Sequence, residues 1–173
     1  MRRIAPFLIL IIGLAACSAA LAQGPTYGRG KPVTLEEIKS WDLAVGPEGK
    51  ELPPGSGTAK QGAAVFAKRC AACHGTDGKY QWPRRAHPPS GGLAPVLAGE
   101  KGVIVAREFA TTIWDYINRA MPLGQEAGTL THDEVYAVTA YLLYLDGIVK
   151  ENEVMDAKSL PSVRMPHRPP GYK

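Results

Sequence analysis

The sequence has only three cysteines among its 173 residues, and Cys17 lies in an apolar N-terminal segment. The other two, Cys70 and Cys73, are three positions apart. A zinc site normally takes four ligands from cysteine, histidine or carboxylate side chains. With so few thiols, such a site would have to be completed by distant histidines.

Other features are also missing from the chain. No run of Lys and Arg with interleaved aromatic residues is present, so nothing favours a nucleic-acid partner. The formal net charge of +4 falls by two when Arg2 and Arg3 are removed with an N-terminal leader. Internal repeats and strand-like alternation of apolar residues are absent as well, and we therefore expect a helical protein without a sheet.

The first two dozen residues are typical of a secretory signal peptide. Arg2 and Arg3 precede an apolar run over 4–16, and small residues follow. The run is short for a membrane span, although a retained anchor is the alternative. Export to the periplasm is the expectation that follows.

Two processing sites compete in this leader. Cleavage after Ala22, at an A-x-A pattern, would release a soluble protein, whereas the sequence LAAC ending at Cys17 resembles a lipobox. Lipidation of Cys17 would attach the protein to a membrane. Mass spectrometry of the mature N-terminus distinguishes the two products.

The sequence CAACH, from Cys70 to His74, is the strongest motif in the chain. This spacing is typical of covalent haem attachment, in which both cysteines form thioethers with the haem vinyl groups. His74 would then coordinate the iron from one side. The motif predicts one haem c.

Two other interpretations of this motif remain open. A thioredoxin-like dithiol normally follows a strand and opens a helix, but the Ala- and Lys-rich residues before Cys70 predict a helix that ends at the motif. A zinc site lacks nearby ligands. Haem attachment explains the motif best.

The mature chain is expected to form one helical domain with an extended segment on each side. A capping box, Thr34 with Glu37, begins a short helix in the N-terminal arm, and another, Thr131 with Glu134, begins the last helix, which Gly147 ends. Apolar periodicity predicts two more helices, over 58–72 and 107–120. Gly62 would allow a second helix to cross closely.

The expected boundaries are 1–22 for the signal peptide, 23–57 for the arm, 58–149 for the domain and 150–173 for an extended tail.

A second axial ligand would close the iron to exogenous molecules and restrict it to electron transfer. Met121 is the leading candidate, because it follows a helix and Pro122 stiffens the turn beside it. A role as a core gap-filler is its ordinary alternative. The remaining candidates are Met155, Met165, His87, His132 and His167.

The motif, the following APVLAG sequence and the RAMP sequence together resemble class I c-type cytochromes over residues 58–148. The resemblance implies an all-α cytochrome c fold around one haem. It implies that Pro95 accepts a hydrogen bond from His74 and that Leu97 packs on the haem. It also places Gly62, Phe66 and Tyr141 where the first and last helices cross.

Most of the mature chain is similar to cytochrome subunits of periplasmic sulfite and sulfane-sulfur dehydrogenases, whose partner subunit contains molybdenum. This resemblance implies a single-electron carrier between such a dehydrogenase and a downstream oxidase or cytochrome, and not an enzyme by itself. The chain departs from larger members, because it has one haem motif and no molybdopterin domain. Candidates for docking or propionate binding are Lys79, Trp82, Arg84 and Arg85.

Two other functions stay open. A haem enzyme of the peroxidase or thiosulfate-oxidising type would need a displaceable distal ligand, and the mature chain has no spare cysteine to supply a thiolate. A gas sensor with five-coordinate haem usually carries its motif near the C-terminus of a four-helix bundle. Carbon monoxide binding by the reduced protein would favour either one over the carrier.

Overall fold

The computed structural model describes residues 30–80 and 94–172. The predictions for the signal peptide, with Cys17, and for Trp82, Arg84, Arg85 and His87 lie outside the described residues. The helices are α1 (Leu35–Trp41), α2 (Ala59–Arg69), α3 (Ala71–His74), α4 (Ala110–Ala120) and α5 (His132–Leu145), the strands are β1 (Ser56–Thr58) and β2 (Val154–Asp156), and 3₁₀ turns lie at Gly124–Glu126 and Leu160–Ser162. Among the described helices, none has the length and apolar character needed to cross a membrane.

The chain divides into two units after Asp42. The described part of the first contains α1, which begins with the predicted capping box: the Glu37 N–H donates to Thr34 Oγ1 at 3.1 Å, and the Thr34 N–H donates to Glu37 Oε2 at 2.8 Å. Leu35 and Trp41 on this helix are 72% and 87% exposed. The prediction of a short helix here is confirmed.

In the second unit, α2 and α3 divide what the sequence predicts as one helix over 58–72. A capping box formed by Thr58 and Gln61 begins α2, and Arg69 is its last residue. The chain then turns at Cys70, whose N–H still donates to Phe66 O at 2.9 Å, before α3 starts. This break separates the cysteine from the long helix and gives the haem motif its own short turn.

Helix α4 starts three residues later than predicted. Arg107 does not begin a helix, because its N–H closes a turn on Ile104 O at 3.0 Å. Phe109 caps α4, and the buried positions include Ile113, Trp114 and Ile117. At the other end Met121 is the C-cap residue, as Pro122 leads us to expect.

Helix α5 is mostly buried, as predicted, and its capping box of Thr131 with Glu134 is confirmed. Leu145 is its last helical residue and Asp146 is its C-cap. Gly147 follows with a φ of 69°, the left-handed conformation typical of a glycine that ends a helix, so the predicted stop is confirmed.

The most extensive packing between described elements is that of α2 against α5. Gly62 is buried at the crossing, and a Cβ atom on it would lie 2.5 Å from the Ala137 carbonyl carbon and 2.8 Å from Tyr141 Cβ. The ring centroids of Phe66 and Tyr141 are 5.2 Å apart at this crossing. The predicted close crossing at Gly62 is confirmed.

The expectation that the chain forms no sheet is wrong in one place. Strands β1 and β2 pair antiparallel, with Gly57 opposite Met155. A Cβ atom on Gly57 would lie 2.5 Å from Ala137 Cα, so its missing side chain lets β1 lie directly on α5. Three-residue strands are too short to show alternation in the sequence, which explains the omission.

Both flanking segments of the second unit pack into the same core as the helices. Leu52 is buried before β1, and the Tyr136 hydroxyl donates to Pro53 O at 2.9 Å. In the C-terminal segment Met155, Leu160 and Met165 are all at most 4% exposed. The tail is therefore anchored by apolar side chains and has more regular structure than the extended wrap expected from its prolines.

Candidate haem site

One cavity of about 400 Å³ brings most of the sequence-predicted site residues together. Its described walls are mainly aliphatic and aromatic, with contributions from α2, α3, the segment 94–104, α4 and α5. The predicted site residues on its wall are Cys70, Cys73, His74, Pro95, Leu97 and Met121.

The α3 turn positions the cysteines and the histidine. The N–H groups of Cys73 and His74 both donate to Cys70 O, at 3.1 and 3.0 Å. Gly75 ends the turn with a φ of 74°. This single turn places two thiols and an imidazole on one cavity, which is the geometry that covalent haem attachment requires.

His74 is 8% exposed, and its Nδ1 atom lies 3.3 Å from Pro95 O. Since a carbonyl oxygen only accepts, Nδ1 must carry the proton in this hydrogen bond, and Nε2 is the nitrogen left for a metal. Burial lowers the pKa of His74, while the Pro95 hydrogen bond acts in the opposite direction. The ring is therefore neutral at pH 7, which is the form that coordinates metals.

The segment 94–104 forms the wall that carries Pro95 and Leu97. Gly78 O accepts from the N–H groups of Leu97, at 2.7 Å, and Ala98, at 3.1 Å. The segment closes on itself through Ile104 N–H, which donates to Leu97 O at 3.1 Å. The two bonds to Gly78 O fix this wall to the residues that follow α3.

The chemistry of Cys70 does not suit a redox dithiol. Burial raises its pKa to about 11, and the positive charge of Arg69 only partly opposes this effect. Reactive cysteines in redox motifs have lowered pKa values, because the thiolate is the nucleophile. Within 30–80 and 94–172, no group of three or more His, Cys, Asp or Glu side chains is arranged to share a metal ion. The zinc interpretation thus gains no support from these residues.

Met121 lies on the cavity wall at the end of α4, and its N–H donates to Ile117 O at 3.1 Å. It is partly buried against the core. Met155 and Met165 are buried in the core instead, and neither they nor His132 or His167 line the cavity. Among the candidate second iron ligands that the structure describes, only Met121 lines the same cavity as His74.

Sequence reasoning missed several residues of the cavity wall. Arg69 lies there and is tied to Glu126, at 3.2 Å, and to Thr129, at 2.8 Å. Arg107 and Tyr116 also line the cavity and are exposed. Arg69 and Tyr116 could have been found, because each lies about one turn after an apolar residue of its predicted helix, Phe66 and Ile113, whereas Arg107 carries no local signal.

The docking and propionate candidates are only partly described. Lys79 is exposed, and its N–H donates to Asp77 Oδ1 at 3.0 Å. Trp82 and Arg84 lie outside the described residues, so their proposed contacts with haem or a partner stay predictions.

The residues present fit a covalently attached haem. The cavity has apolar walls for a porphyrin, two cysteines for thioethers and a buried neutral imidazole whose Nδ1 is already hydrogen-bonded. When bound, the haem would supply an iron that changes charge by one electron. The chain's own contribution is to orient His74 through Pro95, to present Met121 and to exclude water.

Known proteins are similar to this chain in sequence and in structure. A thiosulfate dehydrogenase of Psychrobacter arcticus is 30% identical over 125 residues, which are 66% of this chain and 35% of that protein, so the chain spans about a third of its length. A chain in the crystal structure of the sulfane dehydrogenase SoxCD from Paracoccus pantotrophus is 36% identical and superposes with a TM-score of 0.63, covering 82% of this chain and 69% of that one.

The family model for cytochrome c matches residues 59–146, a little over half of the chain. The match starts at the first residue of α2 and extends one residue past the end of α5. It includes the CAACH motif, Pro95 and Met121. The chain therefore belongs to the cytochrome c family, whose members bind haem c covalently and transfer electrons.

Proposed function

We propose that this protein is a periplasmic monohaem cytochrome that carries single electrons. Cys70 and Cys73 form the thioethers, and His74 and Met121 are the axial iron ligands. The observation that carries the proposal is that all four side chains line one cavity although they come from two separate parts of the chain. A histidine–methionine pair favours ferrous iron and raises the reduction potential.

A sulfur-compound dehydrogenase containing molybdenum is the proposed electron donor, and a downstream oxidase or cytochrome is the proposed acceptor. Support comes from the SoxCD chain, which matches over 82% of this chain and so extends well beyond the cytochrome c domain. At least part of the chain that flanks the domain is therefore included in the likeness. Membrane attachment belongs to the proposal only if Cys17 is lipidated.

Substitution of the distal ligand tests the electron-carrier proposal. Met121→Leu keeps the side-chain volume but removes the thioether, so the iron–sulfur charge-transfer band of the oxidised protein should disappear. Met165→Leu is the matched control, because Met165 is 4% exposed in the core and does not line the cavity. Loss of the band in both variants, or in neither, would contradict ligation by Met121.

The donor is tested by mixing the ferric protein with a periplasmic molybdenum dehydrogenase and either sulfite or thiosulfate. We expect haem reduction that depends on both the dehydrogenase and the sulfur compound. Absence of reduction with every such pair, in a protein that ascorbate reduces readily, would remove the donor from the proposal and leave the carrier.

A haem enzyme with a displaceable distal ligand is the second candidate, and the likeness to a thiosulfate dehydrogenase favours it. The two functions predict different rates of carbon monoxide binding to the reduced protein. A carrier with Met121 on the iron should bind it slowly or not at all, whereas Met121→Leu should bind it rapidly. Rapid binding by the unmodified protein would favour the enzyme.

A further inference from the structure

Asp146 lies outside the haem cavity, yet it holds the segment that orients the haem ligand. It is the C-cap residue of α5, and the Gly99 N–H donates to its Oδ1 at 2.6 Å. Its other carboxylate oxygen, Oδ2, is buried without a hydrogen-bond partner in the described structure. A buried carboxylate oxygen without a hydrogen bond lowers the stability of the fold, so the presence of this carboxylate calls for a structural explanation.

Gly99 belongs to the 94–104 segment, which carries Pro95 and Leu97 on the cavity wall. The segment is already tied, through Leu97 N–H and Ala98 N–H, to Gly78 O. Asp146 adds a second tie at the next residue, Gly99, to the end of α5. Both ties lie shortly after Pro95, whose carbonyl oxygen is 3.3 Å from His74 Nδ1.

Among the residues that the structure describes, Lys79 is a charged group close to this contact. A Cβ atom on Gly99 would lie 3.9 Å from Lys79 Cε, and the charge of Lys79 acts on Asp146. Burial raises the pKa of Asp146, while the Gly99 N–H and then Lys79 oppose the rise. The carboxylate is the form that these two groups stabilise.

We infer that Asp146 is a positioning residue for the haem: its bond to Gly99 keeps Pro95 O on His74 Nδ1 and so helps to set the reduction potential. The inference rests on the proposed ligation of iron by His74. A hydrogen bond donated by Nδ1–H raises the basicity of the imidazole, which stabilises ferric iron. Loosening the segment should weaken this bond and favour ferrous iron.

The test compares Asp146→Ala with Asp146→Asn in the purified holoprotein. Removal of the acceptor in Asp146→Ala should shift the electron-exchange equilibrium with a redox mediator at least threefold towards ferrous haem, about 30 mV. In the reduced protein the NMR signal of the His74 Nδ1 proton should move. Asp146→Asn keeps an oxygen that accepts from Gly99, so it should show less than half of both effects.

Asp133→Ala is the matched control. Asp133 lies in the first turn of α5, and its Oδ1 accepts from the Ser56 N–H at 2.8 Å, so it ties the other end of the same helix to a different segment. This variant should lose stability without any change in potential. If Asp146→Ala does not fold, Asp146→Ser replaces it, since the shorter hydroxyl cannot reach Gly99 and the same shift is expected.

Two results would overturn the inference. One is an unchanged potential and Nδ1 proton signal in Asp146→Ala or Asp146→Ser. The other is an equal shift in Asp146→Asn, which would show an effect of charge alone. The pyridine haemochrome and the iron–sulfur band are recorded for every variant, because their absence from the unmodified protein would refute the proposed ligation and not the positioning by Asp146.

Discussion

Gly62→Ala tests the helix crossing that supports the haem site. In an exposed helix this change would stabilise the protein by about 1 kcal/mol, because alanine has the higher helix propensity. Here the new methyl group would lie 2.5 Å from the Ala137 carbonyl carbon and 2.8 Å from Tyr141 Cβ. Because the nearest obstacle is the Ala137 carbonyl oxygen on the backbone of α5, the two helices would have to separate by more than about an ångström to reach ordinary contact distances.

The expected result is net destabilisation. Overpacking a core by one methyl group costs about 1–3 kcal/mol, and a backbone obstacle places this case near the upper end. After the propensity gain is subtracted, the free energy of unfolding should fall by about 2 kcal/mol. For a chain of this length, the melting temperature should drop by roughly 4–8 °C.

Urea unfolding of the holoprotein, followed by far-ultraviolet circular dichroism, measures the effect. Ala64→Gly is the control on the same helix, because Ala64 is exposed and the change should cost only about 1 kcal/mol of propensity. The free energy of unfolding would then be higher with glycine than with alanine at position 62, and higher with alanine than with glycine at position 64. A stabilised Gly62→Ala variant would refute the close crossing.

Three further changes have defined outcomes. Tyr136→Phe removes the bond to Pro53 O and should lower the free energy of unfolding by about 1 kcal/mol in urea titrations, and an unchanged midpoint would contradict the anchoring role. The hydrogen bond from the Thr131 backbone N–H lowers the pKa of Glu134 from its usual 4.5, so the stability that Glu134 contributes is present above about pH 4.5 and is lost as pH falls through the lower folded-state pKa. Glu134→Gln should make the melting temperature fall less on acidification below about pH 4.5, and a pH profile identical to that of the parent protein would contradict this role of Glu134. Gly102→Ala would place a methyl group 2.8 Å from two backbone carbonyl carbons of the 94–104 segment, so the Soret spectrum and the melting temperature should both change, and a variant identical to the parent would contradict the tight closure of that segment.

Local signals in the sequence were sufficient for the helix starts and for part of the site. The capping boxes at Thr34 and Thr131 involve residues three apart, so they can be read from the chain directly. The CAACH spacing is equally local. Met121 could be proposed from its place after a helix and beside Pro122, whereas Pro95 needed the family resemblance, because nothing near it in the sequence indicates that it faces a cavity.

The features that escaped prediction depend on contacts between distant residues. Strand β1 pairs with β2 almost a hundred positions later, and neither is long enough to show a period. The late start of helix α4 is the exception, because Arg107 is held in a turn with Ile104, three positions before it. The bond from Gly99 to Asp146 joins residues 47 positions apart, and each of them looks like an ordinary turn residue in the sequence.

The intact mass of the purified, denatured protein tests the central claim most directly. The account predicts a mature chain heavier by the mass of one haem, and loss of that increment when Cys70 and Cys73 are both changed to Ala. A chain whose mass equals that of its amino acids alone, with two alkylatable thiols, would contradict covalent haem attachment and the electron-transfer function built on it.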